Sequence, residues 1–267
     1  MLPLLFLAVG CRPPVEAPSD FDALNSYLYE HFASDSEILD PGTQNLDLWL
    51  ADNSEGVHEG YMVKNLTTSA ILTVIPDYEE DLALVGVALS RTYTNDIRVM
   101  AHYQFWEDLE NPDEKTQWLS DGDCFARQEC EDVAYQREAL TAFPLGIDVT
   151  TTFQSEGRWS ESTHGPAFLQ RRYHIKPAEV SVSWLHLLDE FALETSLPLE
   201  EGGFRMTTSS WVSVKLGDLP TPQDVLMNLG LDTLRNHMDG LQGRLDSRQA
   251  KMIDELGWTD LSPNESP

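Results

Sequence analysis

The sequence predicts an α+β fold: a mainly antiparallel sheet packed on one long C-terminal amphipathic helix, with short helices ahead of it. Three observations predict it. Between residues 60 and 216, β-branched and apolar runs alternate with turn signals and lack the strand–helix–strand rhythm of a parallel sheet. Behind them Met227, Leu231, Leu234, Met238, Leu241 and Leu245 recur at steps of four and three, one apolar stripe on a helix of about 25 residues. Ahead of them Phe21, Leu24, Leu28 and Phe32 keep helical spacing.

Taken in order, Ser19 or Asp20 can cap the first helix. Asp40-Pro41-Gly42 then predicts a break, after which Thr43 caps a second short helix carrying Leu46, Trp49 and Leu50. Residues 51–60 read as an acidic loop. Residues 61–66 and 69–75 read as extended chain, the second stopped by Pro76-Asp77. Residues 82–94 pass from a continuous apolar run to alternation through Val87, Leu89, Arg91 and Tyr93, as a strand leaving the core would. Residues 97–109 fit helix or strand, and the acidic, turn-rich stretch 107–123 reads as a surface loop. Further strands are expected at 146–155, 167–175, 180–187, 191–199 and 204–216, the last two joined by a hairpin turn ending in Gly202-Gly203. That makes six or seven strands. Thr221-Pro222-Gln223-Asp224 opens the final helix with a cap, a proline and an acid. Gly230, Gly240 and Gly243 weaken that helix by ~1 kcal/mol each, so packing must hold it. Residues 20–261 form one globular domain in this reading, and 262–267 a disordered tail.

The chain carries 45 acidic against 17 basic residues, a net charge of −28. Its first 150 residues hold 28 of the acids and 7 of the bases. Such a field repels phosphate backbones and argues against nucleic-acid binding. It marks a well-solvated surface, or one that attracts a basic partner. The acidic loop residues Glu107, Asp108, Glu110, Asp113, Glu114, Asp121 and Asp123 are where such a scaffolding contact would fall.

At the start, Met1 leads into Leu2-Pro3-Leu4-Leu5-Phe6-Leu7-Ala8-Val9-Gly10-Cys11. This apolar run is far short of the ~20 residues that span a bilayer but suits a signal peptide. Ala8-Val9-Gly10-Cys11 resembles the lipobox of bacterial lipoproteins, although no basic residue precedes it. The resemblance implies removal of residues 1–10, lipidation (palmitate among the acyl chains) of Cys11, and anchoring in a cell envelope. Residues 12–19 are Pro-rich and polar, as a tether is. Arg12 after the cysteine resembles the sorting pattern for the outer membrane, facing periplasm or cell surface. Without Cys11 an even pair remains, Cys124 and Cys130, and an oxidising compartment favours a disulfide over two free thiols.

The order of elements over residues 60–246 resembles the helix-grip fold of START-like proteins. The resemblance implies a curved sheet around the C-terminal helix and a cavity between them for a lipid or other apolar ligand. Met227, Leu231, Leu234 and Met238 would form one wall, with Trp184 and Trp211 opposite. The alternative is that the same residues fill a dry core.

No nucleotide-binding, esterase or zinc-protease motif is present. His186 and Asp189 are close in sequence, but on a regular strand they face opposite ways, so acid–base work there needs a bend. Asp121, Asp123, Glu129, Glu131 and Asp132 lack the spacing of a calcium loop. The sequence therefore predicts no cofactor, no metal and no catalytic set. It reads as a non-catalytic envelope lipoprotein that binds an apolar molecule, or as an acidic scaffold for a basic partner.

Overall fold

A computed structural model describes residues 16–78, 84–106, 115–118, 124–125, 127–143, 146–216 and 222–261. Its helices are α1 (Phe21–Glu30), α2 (Ser36–Glu59), α3 (Thr68–Leu72), α4 (Ile97–Trp106), α5 (Gln223–Asp239) and α6 (Leu241–Leu256). Its strands are β1 (Tyr61–Val63), β2 (Val85–Tyr93), β3 (Lys115–Trp118), β4 (Asp132–Phe143), β5 (Ile147–Ser162), β6 (Gly165–Val180), β7 (Leu185–Pro198) and β8 (Phe204–Leu216). All neighbours pair antiparallel, in the order β1-β2-β8-β7-β6-β5-β4-β3. The predicted α+β class holds, with a curved sheet and a bent C-terminal helix.

Helices cover both faces of the sheet. On the outer face, Leu24, Leu28, Leu46 and Leu50 of α1 and α2 pack with Ala88, Leu169, Phe191, Leu193 and Trp211. On the inner face, residues of α4, α5 and α6 pack with Val87, Leu89, Phe168, Phe204 and Met206. Strand residues of alternating parity serve the two layers, as the pleat requires. Two-sided burial also explains the apolar run of β2, whose first six residues are all buried.

The N-terminal prediction holds for α1, where Asp20 caps the helix by accepting from the Ala23 amide at 3.0 Å. It fails for the next segment. Pro41 lies inside a continuous α2, and residues 51–59 are helical rather than a loop. A proline in the second helical turn removes only one backbone bond. Burial of Leu39, Leu46, Leu50 and Val57 outweighs that loss. Gly42 is required there, because a Cβ would sit 2.8 Å from the Tyr27 ring. Asp40 Oδ1 then accepts from Ser160 Oγ at 2.7 Å and the Glu161 amide at 3.1 Å, latching α2 to β5.

Residues 69–75 are the helix α3 and following turns, not a strand. Thr67 supplies a cap the pattern hid, accepting from the Ala70 amide at 3.3 Å. Residues 97–106 resolve as helix. Residues 180–187 are no single strand: Ser181–Trp184 form the turn between β6 and β7. Strand β4 was not anticipated, and neither was β3, which falls in the stretch read as loop. The final helix breaks at Gly240 into α5 and α6, and its stripe continues through Leu241, Leu245 and Met252. The 198–203 hairpin is as expected, with Gly202 and Gly203 at φ 94° and 75°.

Candidate functional site

The residues chosen from sequence as a pocket wall do not assemble into one. Leu231, Leu234 and Met238 are buried on the inner face, with Met227 packed against them. Trp211 is fully buried, but on the outer face beside Tyr29 and Phe191, where its Nε1 donates to the Lys64 carbonyl at 2.7 Å. Trp184 sits in the β6–β7 turn and is 52% exposed. Parity explains the Trp211 error. Phe204, Met206, Thr208 and Ser210 alternate with it along β8, and it is these that face α5.

What the inner face does bring together is a polar group that sequence reasoning missed. Arg172 on β6 donates from Nη2 to Glu190 Oε1 on β7 at 2.7 Å. His174 Nε2 lies 3.5 Å from Glu190 Oε2. Gln104 of α4 donates to Glu194 Oε2 at 2.6 Å, and Gln170 donates to Ser155 Oγ at 2.5 Å. Arg172 also lies 5.5 Å over the Phe153 ring. These residues alternate with Leu169, Arg171, Tyr173, Phe191 and Leu193, so they all point toward the layer of α4 and α5.

The electrostatics are those of partly desolvated charge. Burial alone would raise the Glu190 carboxyl, but Arg172 and then His174 pull it down to about 2. Burial opposes the charge of Arg172, and Glu190 with Glu194 restores it above the usual arginine value. Asp189 is raised by burial, with His174 opposing. Three buried polar atoms here, Gln170 Oε1, His174 Nδ1 and Thr208 Oγ1, have no hydrogen-bond partner among the described residues. Beside them Leu187, Val212 and Val214 are only half-buried. Charged groups facing an apolar layer, with bonding capacity left over, can seat the polar end of a ligand whose body lies on the apolar part.

The other sequence candidates separate. A bulge at Leu188 sets His186 opposite Lys215 and Asp189 opposite Ser213, two positions apart on β8 and thus on one face, yet no hydrogen bond joins them. Cys124 and Cys130 stand in disulfide geometry with Cα atoms 5.4 Å apart. Between them Phe125 is fully buried and stacks on Trp159. Among the described residues no His, Cys, Asp or Glu side chains cluster as metal ligands. Cys11, the acidic residues at 107–114, Asp121 and Asp123 lie outside the described residues. No described helix is long and apolar enough to cross a membrane.

Two open concavities lie away from the α5 stripe. One, of about 600 Å³, runs along α1 past Asp20, Asp22, Glu30, His31 and Lys64. The other, of about 170 Å³, lies between α2 and the β2–β8 pair.

No protein-family model and no curated protein matches the chain. Among solved structures it is similar to human STARD10, at 9% identity and TM-score 0.40 over 83% of this chain and 89% of that one. It is also similar to a START superfamily protein from Mycobacterium smegmatis, at 14% identity and TM-score 0.35 over 61% and 97%. A third is the ZhuI aromatase/cyclase from Streptomyces sp. R1128, at 10% identity and TM-score 0.38 over 66% and 99%. Likeness at that level transfers no residue's role.

Proposed function

We propose that this protein is an envelope lipoprotein whose domain binds an amphipathic small molecule, lipid-like in class, on the inner face of its sheet. The observation that carries the ligand reading is the abutment of two sectors on that face. One is the apolar sector of Leu187, Val212 and Val214, which are only half-buried. The other is the polar sector of Arg172, His174, Glu190 and Glu194. A purely apolar ligand would leave Gln170 Oε1, His174 Nδ1 and Thr208 Oγ1 without partners, which costs free energy. A molecule with a polar head and an apolar body satisfies both. This narrows the apolar ligand expected from sequence to an amphipathic one.

The tether supports the localisation half of the reading, through the short apolar stub, Cys11 and the Pro-rich residues after it. An exported setting also accords with a disulfide between Cys124 and Cys130.

Native mass spectrometry of the protein released gently from its source tests the ligand. We expect a co-purified amphipath that is depleted in an Arg172→Met, Glu190→Gln double variant that still folds. A bare protein in every preparation, with no uptake from mixed lipid micelles, would remove the ligand reading. Metabolic labelling with a palmitate analogue tests the anchor separately: label on the wild type and none on Cys11→Ser is expected. Equal labelling would end the lipoprotein reading.

A further inference from the structure

In a chain with 17 basic residues against 45 acidic ones, two arginines and a histidine converge on one small cleft on the outer side of the sheet. Its floor is three side chains of the β2–β8 ladder. Thr92 and Arg205 are direct cross-strand partners, and Ser90 pairs with Thr207 two positions along. Its roof is the last part of α2, where Ser54 and His58 fall at i and i+4 and hence on one helical face. Arg91 closes the side: its Nη1 donates to the His58 carbonyl at 2.8 Å and lies 3.3 Å from His58 Nδ1. The cleft is open to solvent and has a volume of about 170 Å³.

The arginines differ in what they do. Arg91 is engaged, with Nη1 also donating to the Ser90 carbonyl at 2.9 Å and Nε lying 3.8 Å from Asp239. The Arg205 side chain makes no hydrogen bond or ion pair with any described residue, although it is half-buried. Its planar fork of donors is therefore unspent, beside the hydroxyls of Ser54 and Thr92 and the edge of His58, whereas Ser90 Oγ already donates to the Met206 carbonyl at 3.2 Å. Glu55 is the single carboxylate among the lining residues, and it is exposed at the rim.

We propose that this cleft binds a phosphate-type oxyanion, with Arg205 as its forked donor, Arg91 and His58 as flanking donors, and the hydroxyls of Ser54 and Thr92 completing the shell. A tetrahedral anion fits both the volume and the chemistry, because guanidinium matches phosphate oxygens two at a time. The inner-face ligand plays no part in it, since the cleft lies on the opposite side of the sheet. The anion has two sources of the same chemistry, free phosphate and the phosphate headgroup of a lipid.

Titration calorimetry with inorganic phosphate, at fixed ionic strength against chloride, reads the first source. Co-sedimentation with phosphatidic acid vesicles against phosphatidylcholine vesicles reads the second. Saturable phosphate binding weakened at least tenfold by Arg205→Ala, and by a carboxylate placed in the cleft with Thr92→Glu, is the expected result. Lys176→Ala, which removes an exposed pair with Glu179, should bind as the wild type does. Since the Arg205 side chain bonds to no described residue, Arg205→Ala should melt within a degree or two of the wild type, so lost binding is not lost folding. Binding to phosphatidic acid vesicles alone, again lost in Arg205→Ala, assigns the headgroup as the source. Absence of binding in both assays, or binding that Arg205→Ala and Thr92→Glu leave unchanged, overturns the proposal.

Discussion

Acid should loosen this protein through His102. The residue sits on α4, 3% exposed, with its ring edge-on to Trp258 at 6.2 Å. Burial lowers its pKa to about 4, and the positive charges of Arg248 and Lys251 on α6 push the same way. The neutral imidazole thus belongs to the folded state, whereas the unfolded chain takes up a proton near pH 6.5. Stability is full above that value and drains as pH falls toward 4. A difference of this size corresponds to about 2–3 kcal/mol at the acid end of the window, from ~1.4 kcal/mol per unit. His102→Phe keeps a ring of similar size and removes the titration. Urea unfolding of both proteins at pH 7, 5.5 and 4 measures the effect. The carboxylates and the other six histidines titrate alike in the two, so the difference between the curves isolates His102. We expect the wild type to lose about 2–3 kcal/mol more than the variant across that range. Parallel losses would refute the argument. Because α4 also carries Gln104 onto Glu194, the same acidification should raise amide exchange along α4 and weaken retention of an inner-face ligand.

Other perturbations reach other layers. In β2 a Cβ on Gly86 would meet the Val63 carbonyl at 2.5 Å and the Trp211 indole at 2.7 Å, so Gly86→Ala should cost about 2–4 kcal/mol from overpacking plus a strained indole hydrogen bond. A change below ~0.5 kcal/mol in denaturant unfolding would contradict that contact. Glu190→Gln leaves Arg172 without its counter-charge; as the pair is 24% and 37% exposed, the cost should be about 1–3 kcal/mol, less than for a fully buried pair. The carboxyl held near 2 contributes stability above its ordinary value and loses it as pH falls toward 2, so the variant should show a shallower acid limb between pH 4.5 and 2. Replacing Cys124 and Cys130 with serine should cost no more than about 2–3 kcal/mol, since the loop is short. Alkylation of both thiols in the oxidised, unreduced protein would show that no bond links them.

The parts of the fold that could be read in the sequence were those where local pattern and tertiary packing agree. The α1 stripe with its Asp20 cap, the 198–203 hairpin and the stripe of the last helix are of that kind. Errors arose where a strong local signal was overruled by packing. Pro41-Gly42 looks like a break, yet the buried leucines of α2 carry the helix through it, and Gly42 serves the approach to Tyr27. Strand β4 was hidden because Arg137 occupies a slot in line with Val133 and Tyr135, where an apolar residue would have shown the alternation. The site was less legible. Arg172, His174 and Glu190 are ordinary polar residues until register sets β6 beside β7, and only cross-strand pairing reveals the cluster. Trp211 enters the expected wall as a strand aromatic under the helix-grip resemblance, although its parity against Met206 is legible in the sequence.

The carbonyls of Ala17 and Pro18 accept from Asn45 Nδ2 of α2 at 3.2 and 2.9 Å, so the chain enters the domain along the outer helical layer. Cys11 precedes Ala17 by six positions, a reach of at most about 20 Å. On so short a leash, a lipid at Cys11 would hold the outer helices toward the parent bilayer and turn the inner face of the sheet toward the opposite compartment. The protein would then be oriented to exchange its amphipath with whatever approaches from across that space, and the outer-face oxyanion cleft would look back at the membrane that carries it.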